Sequence, residues 1–226
     1  MLFMENNQKK SFLNYEADAW FERNIGTIKG YNSNDDKVLE LFKKYNFDKN
    51  TILEIGSSAG YRLNALKNTF PESSVFGLEP SEKAIEYGKA NYKQVNFTHG
   101  TADNLSEYED VSIDVLIVGF VFYVIDRNIL FKVISEIDRV LKNNGVIVII
   151  DFFSETSLKN AYQHIDEFEA YSYKQNYDDI FVSSRLYYLL DTSTYSHSTR
   201  NLDASNDYYD KYRISLLKKD INSSYK

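Results

Sequence analysis

Glu54, Gly56, Ser57 and Gly60 fall close together in the string TILEIGSSAG, residues 51–60. Ile52, Leu53 and Ile55 form an apolar run suited to a short buried strand. Gly56, two serines, Ala59 and Gly60 then break the run, and Leu63, Leu66 and Phe70 follow at helical spacing. Strand, small-residue turn and helix in that order open a nucleotide-type α/β fold. Gly56 can adopt a backbone conformation closed to other residues. Small side chains let a ligand approach the main chain, and the first turn of the helix offers unpaired N–H groups to an anion. The turn is not a dinucleotide fingerprint, because Ser58 stands where the second glycine belongs, and not a phosphate-cradling loop, because Tyr61 and Arg62 follow Gly60.

A second carboxylate, Glu79, ends the apolar run SVFGLEP. An acidic residue about 20 residues past the glycine turn, at the end of the second strand, is placed to accept from both hydroxyls of a ribose. Asp103 follows the third run, QVNFTHGTADNL, where a loop aspartate can also simply close its own turn. Asp126 and Asp151 stand at the ends of later apolar runs, where ligands sit in open α/β sheets. Either could serve as a general base, although Asp126 could equally cap the next helix. His99, His164 and His197 are widely separated and show no metal-ligand spacing, so no metal site is expected.

These residues need a scaffold, and the chain supplies alternating elements. Residues 1–34 form a helix-leaning lead-in holding Trp20, Phe21 and Arg23, expected as a lid or as a helix packed permanently on the sheet. Asp35 and Asp36 can cap a helix with Val38, Leu41, Phe42 and Tyr45 on one face. VSIDVLIVGFVFYVID is the most apolar run and reads as a strand buried on both faces. RNILFKVISEIDRVLKNNG reads as an amphipathic helix stopped at Gly145, and VIVIIDFF as a fifth strand. Single strands alternating with helices argue for a parallel sheet. Residues 155–170 and 177–190 look helical, and TSTYSHST and YRISLLKKD look like an antiparallel hairpin on the sheet edge. The expected architecture is one α/β domain over 35–220, a Rossmann-like three-layer sandwich on a mostly parallel seven-stranded sheet.

Bulk composition narrows the partners. The 226 residues suit a single α/β domain. A formal net charge of −7 offers no basic footprint for nucleic acid. No apolar run reaches the ~20 residues of a membrane helix, and the N-terminus shows no signal-peptide core. The absence of cysteine excludes disulfides and thiol catalysis. A cytoplasmic location is expected. Tyrosine is abundant, 19 residues, which codon bias explains better than an aromatic binding surface.

The E-x-G-x-x-x-G turn, Glu79, Asp103 and the late hairpin together resemble the class I S-adenosylmethionine-dependent methyltransferases over residues 35–218. The resemblance implies S-adenosylmethionine as cofactor and S-adenosylhomocysteine as product. It implies that Glu54 approaches the methionine amino group, that Gly56, Ser57 and Gly60 lie under the ligand, and that Glu79 grips the ribose. It further implies that Asp103 accepts from the adenine amino group, that Ala102 offers its N–H to the ring, and that Gly119 and Phe120 complete the cofactor site. EADAWFERN, LEIGSSAGYRLNALK, PESSVFGLEPSEKAIE and the terminal DKYRISLLKKD are also similar to methyltransferases of bacterial surface-sugar clusters, notably the pseudaminic acid-associated group. Two positions depart from that group: Val124 stands where a histidine is usual, and Ser57 where a cysteine is common.

The expected function is methyl transfer to a small polar acceptor of the sugar or sugar-precursor class, with no nucleic acid or membrane partner. The sulfonium methyl is already activated, so the enzyme must chiefly align the acceptor and exclude water. The residues leave two alternatives open. One is an NAD(P)-dependent short-chain dehydrogenase or epimerase, although the one Y-x-x-x-K pair, Tyr45 with Lys49, precedes the first strand. The other is a cofactor-binding homologue without activity.

Overall fold

The computed structural model describes residues 7–165, 170–205 and 207–222. The lead-in is helical as expected from residue 7 onward, while residues 1–6 lie outside the described residues. It comprises α1 (Asn7–Ser11), a π-helical turn (Phe12–Glu16) and α2 (Ala17–Lys29). Asp36 caps α3 (Lys37–Lys44), its carboxylate accepting from the N–H of Val38 at 2.8 Å and of Leu39 at 3.3 Å.

Alternating elements follow: β1 (Thr51–Ile55), α4 (Tyr61–Thr69), β2 (Ser74–Glu79), α5 (Glu82–Asn91), β3 (Asn96–His99), β4 (Ile113–Gly119), α6 (Leu130–Val140) and β5 (Leu141–Phe152). Strands β6 (Leu158–Ala161) and β7 (Tyr171–Lys174) form a separate antiparallel pair. Helix α7 (Asp178–Val182), β8 (Tyr187–Ser196) and β9 (Lys211–Lys219) complete the chain. The main sheet has seven strands in the order β3-β2-β1-β4-β5-β9-β8. Its first five strands are parallel, and β9 inserts antiparallel between β5 and β8, the hairpin expected from sequence. Strand order reverses between β1 and β4, the place where open α/β sheets take ligands. β4 is buried at every position from Ile113 to Val118, as its β-branched run predicts for a strand covered on both faces. No described helix is long and apolar enough to cross a membrane.

Three expectations about local structure are corrected. Residues 155–170 are not helical where described: β6 lies there, and residues 166–169 fall outside the described residues. Over 177–190 the helix is only α7, because the chain turns through a left-handed Arg185 (φ 65°) and the aromatic, β-favouring stretch from Tyr187 joins the sheet. Helix α6 stops at Val140 rather than at Gly145, because Leu141 is fully buried and already pairs with Ile113 at the head of β4.

Candidate active site

The glycine turn is a strained link that only small residues allow. Gly56 (φ 72°), Ser58 (φ 48°) and Gly60 (φ 75°) take left-handed conformations on the way from β1 into α4. A Cβ on Gly56 would collide with the Val121 side chain, and one on Gly60 would stand 2.6 Å from the Phe97 ring. Glu79, at the end of β2, binds this turn directly. Its Oε2 accepts from the Ser58 N–H at 2.7 Å and its Oε1 from the Ser81 N–H at 2.9 Å. Burial pushes the Glu79 carboxyl up to about 7, against the pull of those two N–H groups.

Glu54 sits beside it at the end of β1, 2% exposed. Its Oε1 accepts from Arg62 Nη1, and its buried Oε2 has no hydrogen-bond partner. Arg62 Nε in turn donates to Asp36 Oδ2 at 2.8 Å, and the Tyr31 hydroxyl donates to the same oxygen at 3.0 Å. Burial pushes Glu54 up to about 7 while Arg62 pulls it down; the two carboxylates hold the Arg62 guanidinium firmly charged. Gly119 closes over this pair: a Cβ there would lie 3.4 Å from Arg62 Nη1 and 3.5 Å from Glu54 Oε1.

Asp103 and Ala102 are buried just past the end of β3. Asp103 Oδ1 accepts from the Thr101 hydroxyl at 2.8 Å, so the aspartate does close its own turn. Its Oδ2 faces Lys9 of α1 at 2.8 Å and Lys132 of α6 at 3.4 Å, and these neighbours hold the carboxyl below its usual range despite burial. Phe120 is placed differently from the other candidates. Its N–H donates to Ile150 O at 2.7 Å, and its ring packs on Phe152 and Tyr212, toward β9 rather than toward the glycine turn.

The lead-in lies against both halves of the sheet end. Asp18 accepts from the Ser81 hydroxyl at 2.6 Å, and Phe21 packs 5.8 Å from the Tyr87 ring, beside Ala59 of the turn. Glu16 is fully buried, ion-paired with Arg23, and accepts from the Tyr162 hydroxyl at 2.6 Å. Gln8 donates to Val124 O at 2.7 Å and to Tyr171 O at 2.9 Å.

At the end of β5, Asp151 is 2% exposed. One oxygen accepts from the Phe152 N–H at 2.8 Å, and burial pushes the carboxyl up to about 7. Tyr123 and Tyr162 stand nearby, both phenols pushed up by burial, and Arg127 lies 4.1 Å over the Tyr173 ring. Asp126 accepts from the Asn128 N–H at 2.8 Å and closes the turn before α6. The late tyrosines do not gather as one surface. Tyr187 and Tyr188 pair with Lys219 and Lys218, and the Tyr187 hydroxyl donates to Asp138 of α6, at the sheet end away from Asp151.

The structure thus brings together Glu54, Gly56, Ser57, Gly60, Glu79 and Gly119, sets Ala102 and Asp103 at the neighbouring strand end, and turns the Phe120 ring away. Sequence reasoning overlooked Arg62 as the partner of Glu54, and Asp36 and Tyr31 behind it. An arginine just inside the helix after the turn was the one available signal. It also overlooked Glu16 with Tyr162, whose separation in the chain hides their contact.

Residues 53–149 match the family model described as a methyltransferase domain. The chain is 34% identical over 116 residues to demethylmenaquinone methyltransferase of Thermotoga maritima, covering 51% of this chain and 48% of that protein. It is 26% identical over 162 residues to ribosomal RNA small subunit methyltransferase G of Mesoplasma florum, covering 66% of this chain and 65% of that protein. The chain spans about half the length of the first curated relatives it matches. Among solved structures it is similar to the 1,6-didemethyltoxoflavin-N1-methyltransferase of Burkholderia thailandensis, solved with 1,6-didemethyltoxoflavin and S-adenosylhomocysteine. The TM-score is 0.68 at 12% identity, covering 97% of this chain and 92% of that one. Over residues 53–149 the chain is thus similar to methyltransferase domains, and its sheet has the Rossmann-like fold of the methyltransferase structures it resembles.

Proposed function

We propose that the chain as a whole transfers a methyl group from S-adenosylmethionine to a small polar, hydroxyl-bearing acceptor of the sugar or sugar-precursor class. The observation that carries the donor half is a pair of buried carboxylates at adjacent strand ends. Glu54 keeps an unpartnered oxygen suited to an ammonium, and Glu79 is clamped by two backbone N–H groups and suited to a ribose diol. Gly56, Ser57 and Gly60 lie under the ligand, Gly119 lets it approach the Glu54 carboxylate, and Ala102 and Asp103 face the adenine. Phe120 contributes its backbone to the site rather than its ring. The donor supplies an activated methyl; the chain's residues bind, orient and exclude water.

Tyr123, Tyr162, Tyr173 and Tyr177, with Arg127 and Asp151, form the acceptor side. Tyrosine rings offer a flat apolar face and an edge hydroxyl, which suit a sugar ring. The similarity of EADAWFERN and the glycine-turn region to surface-sugar methyltransferases supports the same class. A net charge of −7 argues against a polyphosphate acceptor, although one relative is named as a ribosomal RNA enzyme. A nicotinamide-dependent reading is not favoured, since residues 53–149 match a methyltransferase domain.

The lead-in over residues 1–34 acts as the lid of this site and residues 35–220 as the transferase domain. Protection of the lead-in from limited proteolysis by S-adenosylhomocysteine is expected; identical cleavage with and without it would make the segment a fixed part of the scaffold. The function is tested by methyl transfer from labelled S-adenosylmethionine to nucleotide-activated sugars, oligonucleotides and quinones. Turnover confined to the sugars is expected, and robust turnover on an oligonucleotide would overturn the acceptor class.

A further inference from the structure

A ligand's ammonium is bound well only by a carboxylate that is ionised and correctly turned. Glu54 alone meets neither condition, because it is buried at the end of a central strand. Among the described residues Arg62 is the one cation bonded to it, through Nη1 to Oε1. Arg62 is held from its other side, because its Nε is bonded to Asp36 Oδ2 at 2.8 Å. Asp36 is itself fixed by three donors: the N–H groups of Val38 and Leu39 at the start of α3, and the Tyr31 hydroxyl. This relay runs Tyr31, Asp36, Arg62, Glu54, and ends on the unpartnered Oε2.

We propose that Arg62, anchored by Asp36, is a positioning residue for the donor site, holding Glu54 as an anion with its free oxygen turned to the amino group of the donor's methionine half. The inference rests on the donor assignment above and deepens it. Arg62 is bonded to Glu54 and Asp36, so on this reading its removal acts through Glu54 on the amino-acid half of the ligand and spares the adenosine half. The groups that face Glu54 besides Arg62 are Asp36, Tyr31 and Tyr61 on the α3 and α4 side and Glu79 on β2. Asp36 and Glu79 are acidic and oppose ionisation of Glu54, so Arg62 is the counterweight to both.

The test uses two ligands on the full chain. S-adenosylhomocysteine carries the amino group; 5′-methylthioadenosine shares the adenosine and sulfur and lacks it. Both are titrated calorimetrically into wild type, Arg62→Lys and Asp36→Asn from about pH 6 to about pH 9. Lysine is a point charge that cannot bond both carboxylates as the guanidinium does. Expected for Arg62→Lys is a loss of about ten-fold or more in S-adenosylhomocysteine affinity near pH 7, recovering as pH rises, with the midpoint shifted upward. Methylthioadenosine affinity should stay within about two-fold, which also reports that the variant is folded. Asp36→Asn removes both the Arg62 anchor and an acidic neighbour of Glu54, which act on the midpoint in opposite directions, so its midpoint should move less than that of Arg62→Lys. Parallel loss of both ligands, or an unmoved midpoint in Arg62→Lys, would overturn the positioning role. Failure of the wild type to bind either nucleoside would instead remove the donor assignment, and the inference with it.

Discussion

The sheet end at β1 and β2, where the donor is proposed to bind, and the end at β5, proposed for the acceptor, both bury carboxylates, but they satisfy them by different means. Glu54 and Glu79 are held within one stretch of strand, turn and helix: by Arg62 on the next helix, and by the N–H groups of Ser58 and Ser81. At the acceptor end, Glu16 is held by Arg23 from its own segment and by Tyr162, which lies far along the chain. The proposed donor site is thus built into a compact motif, whereas the proposed acceptor side is assembled from pieces that meet only once the chain has folded. A shared cofactor favours the first arrangement; a variable substrate favours the second, because a loop can change without disturbing the glycine turn.

The largest break in this comparison should come from Arg62→Met. Two buried carboxylates then lose their cation, and about 3–5 kcal/mol of stability should disappear in urea unfolding at neutral pH. A loss under about 1 kcal/mol would mean that Glu54 takes a proton at little cost.

Next comes the pH dependence of stability without ligand. Asp151, Glu79 and Glu54 are each raised to about 7 in the folded chain. A group raised on folding contributes its stability below its unfolded pKa and loses it as pH rises through the folded one. The unfolding midpoint should therefore fall between about pH 4 and about pH 8. Asp151→Asn should remove up to about 4 kcal/mol of that pH-dependent change while leaving neutral-pH stability equal or higher. A slope unchanged in the variant would place the titration elsewhere.

Glu79→Ala is expected to cost about 2–3 kcal/mol in affinity for S-adenosylhomocysteine, read by calorimetry. Unchanged affinity would take Glu79 out of the site. Tyr162→Phe is the smallest and the sharpest for the comparison. It removes one hydrogen bond to buried Glu16, so stability should drop by about 1 kcal/mol. Affinity for the cofactor product should not move; if it falls in step, the two ends of the sheet are not independent.

The same contrast explains what the sequence made legible. The run from Ile52 to Phe70 announces itself by local pattern, and Glu79 by its distance from the turn, so the sheet and its strand-end carboxylates could be placed by number. Residues 177–190 misled because the stretch runs from a short helix straight into a strand beginning at Tyr187, and only the pairing of that strand with β9 marks the change. Asp36 was legible as a cap and is one, but its second bond to Arg62 depends on how α3 packs against α4. The tyrosines after residue 160 could be counted, yet their division between the two ends of the sheet follows from strand direction, which composition does not carry.

Gly77 in β2 faces Ser57 so closely that a Cβ on it would stand 2.5 Å from the Ser57 hydroxyl. Residues 57 and 77 therefore share one volume, and what one gains the other must give up. A bulkier residue at 57 has nowhere to go while β2 keeps its place, and Gly77→Ala would be admitted only alongside Ser57→Gly. Relatives that differ at the middle of the glycine turn should differ at position 77 as well. A sequence carrying alanine at 77 and serine at 57 should show a β2 displaced from β1 or a turn of another shape.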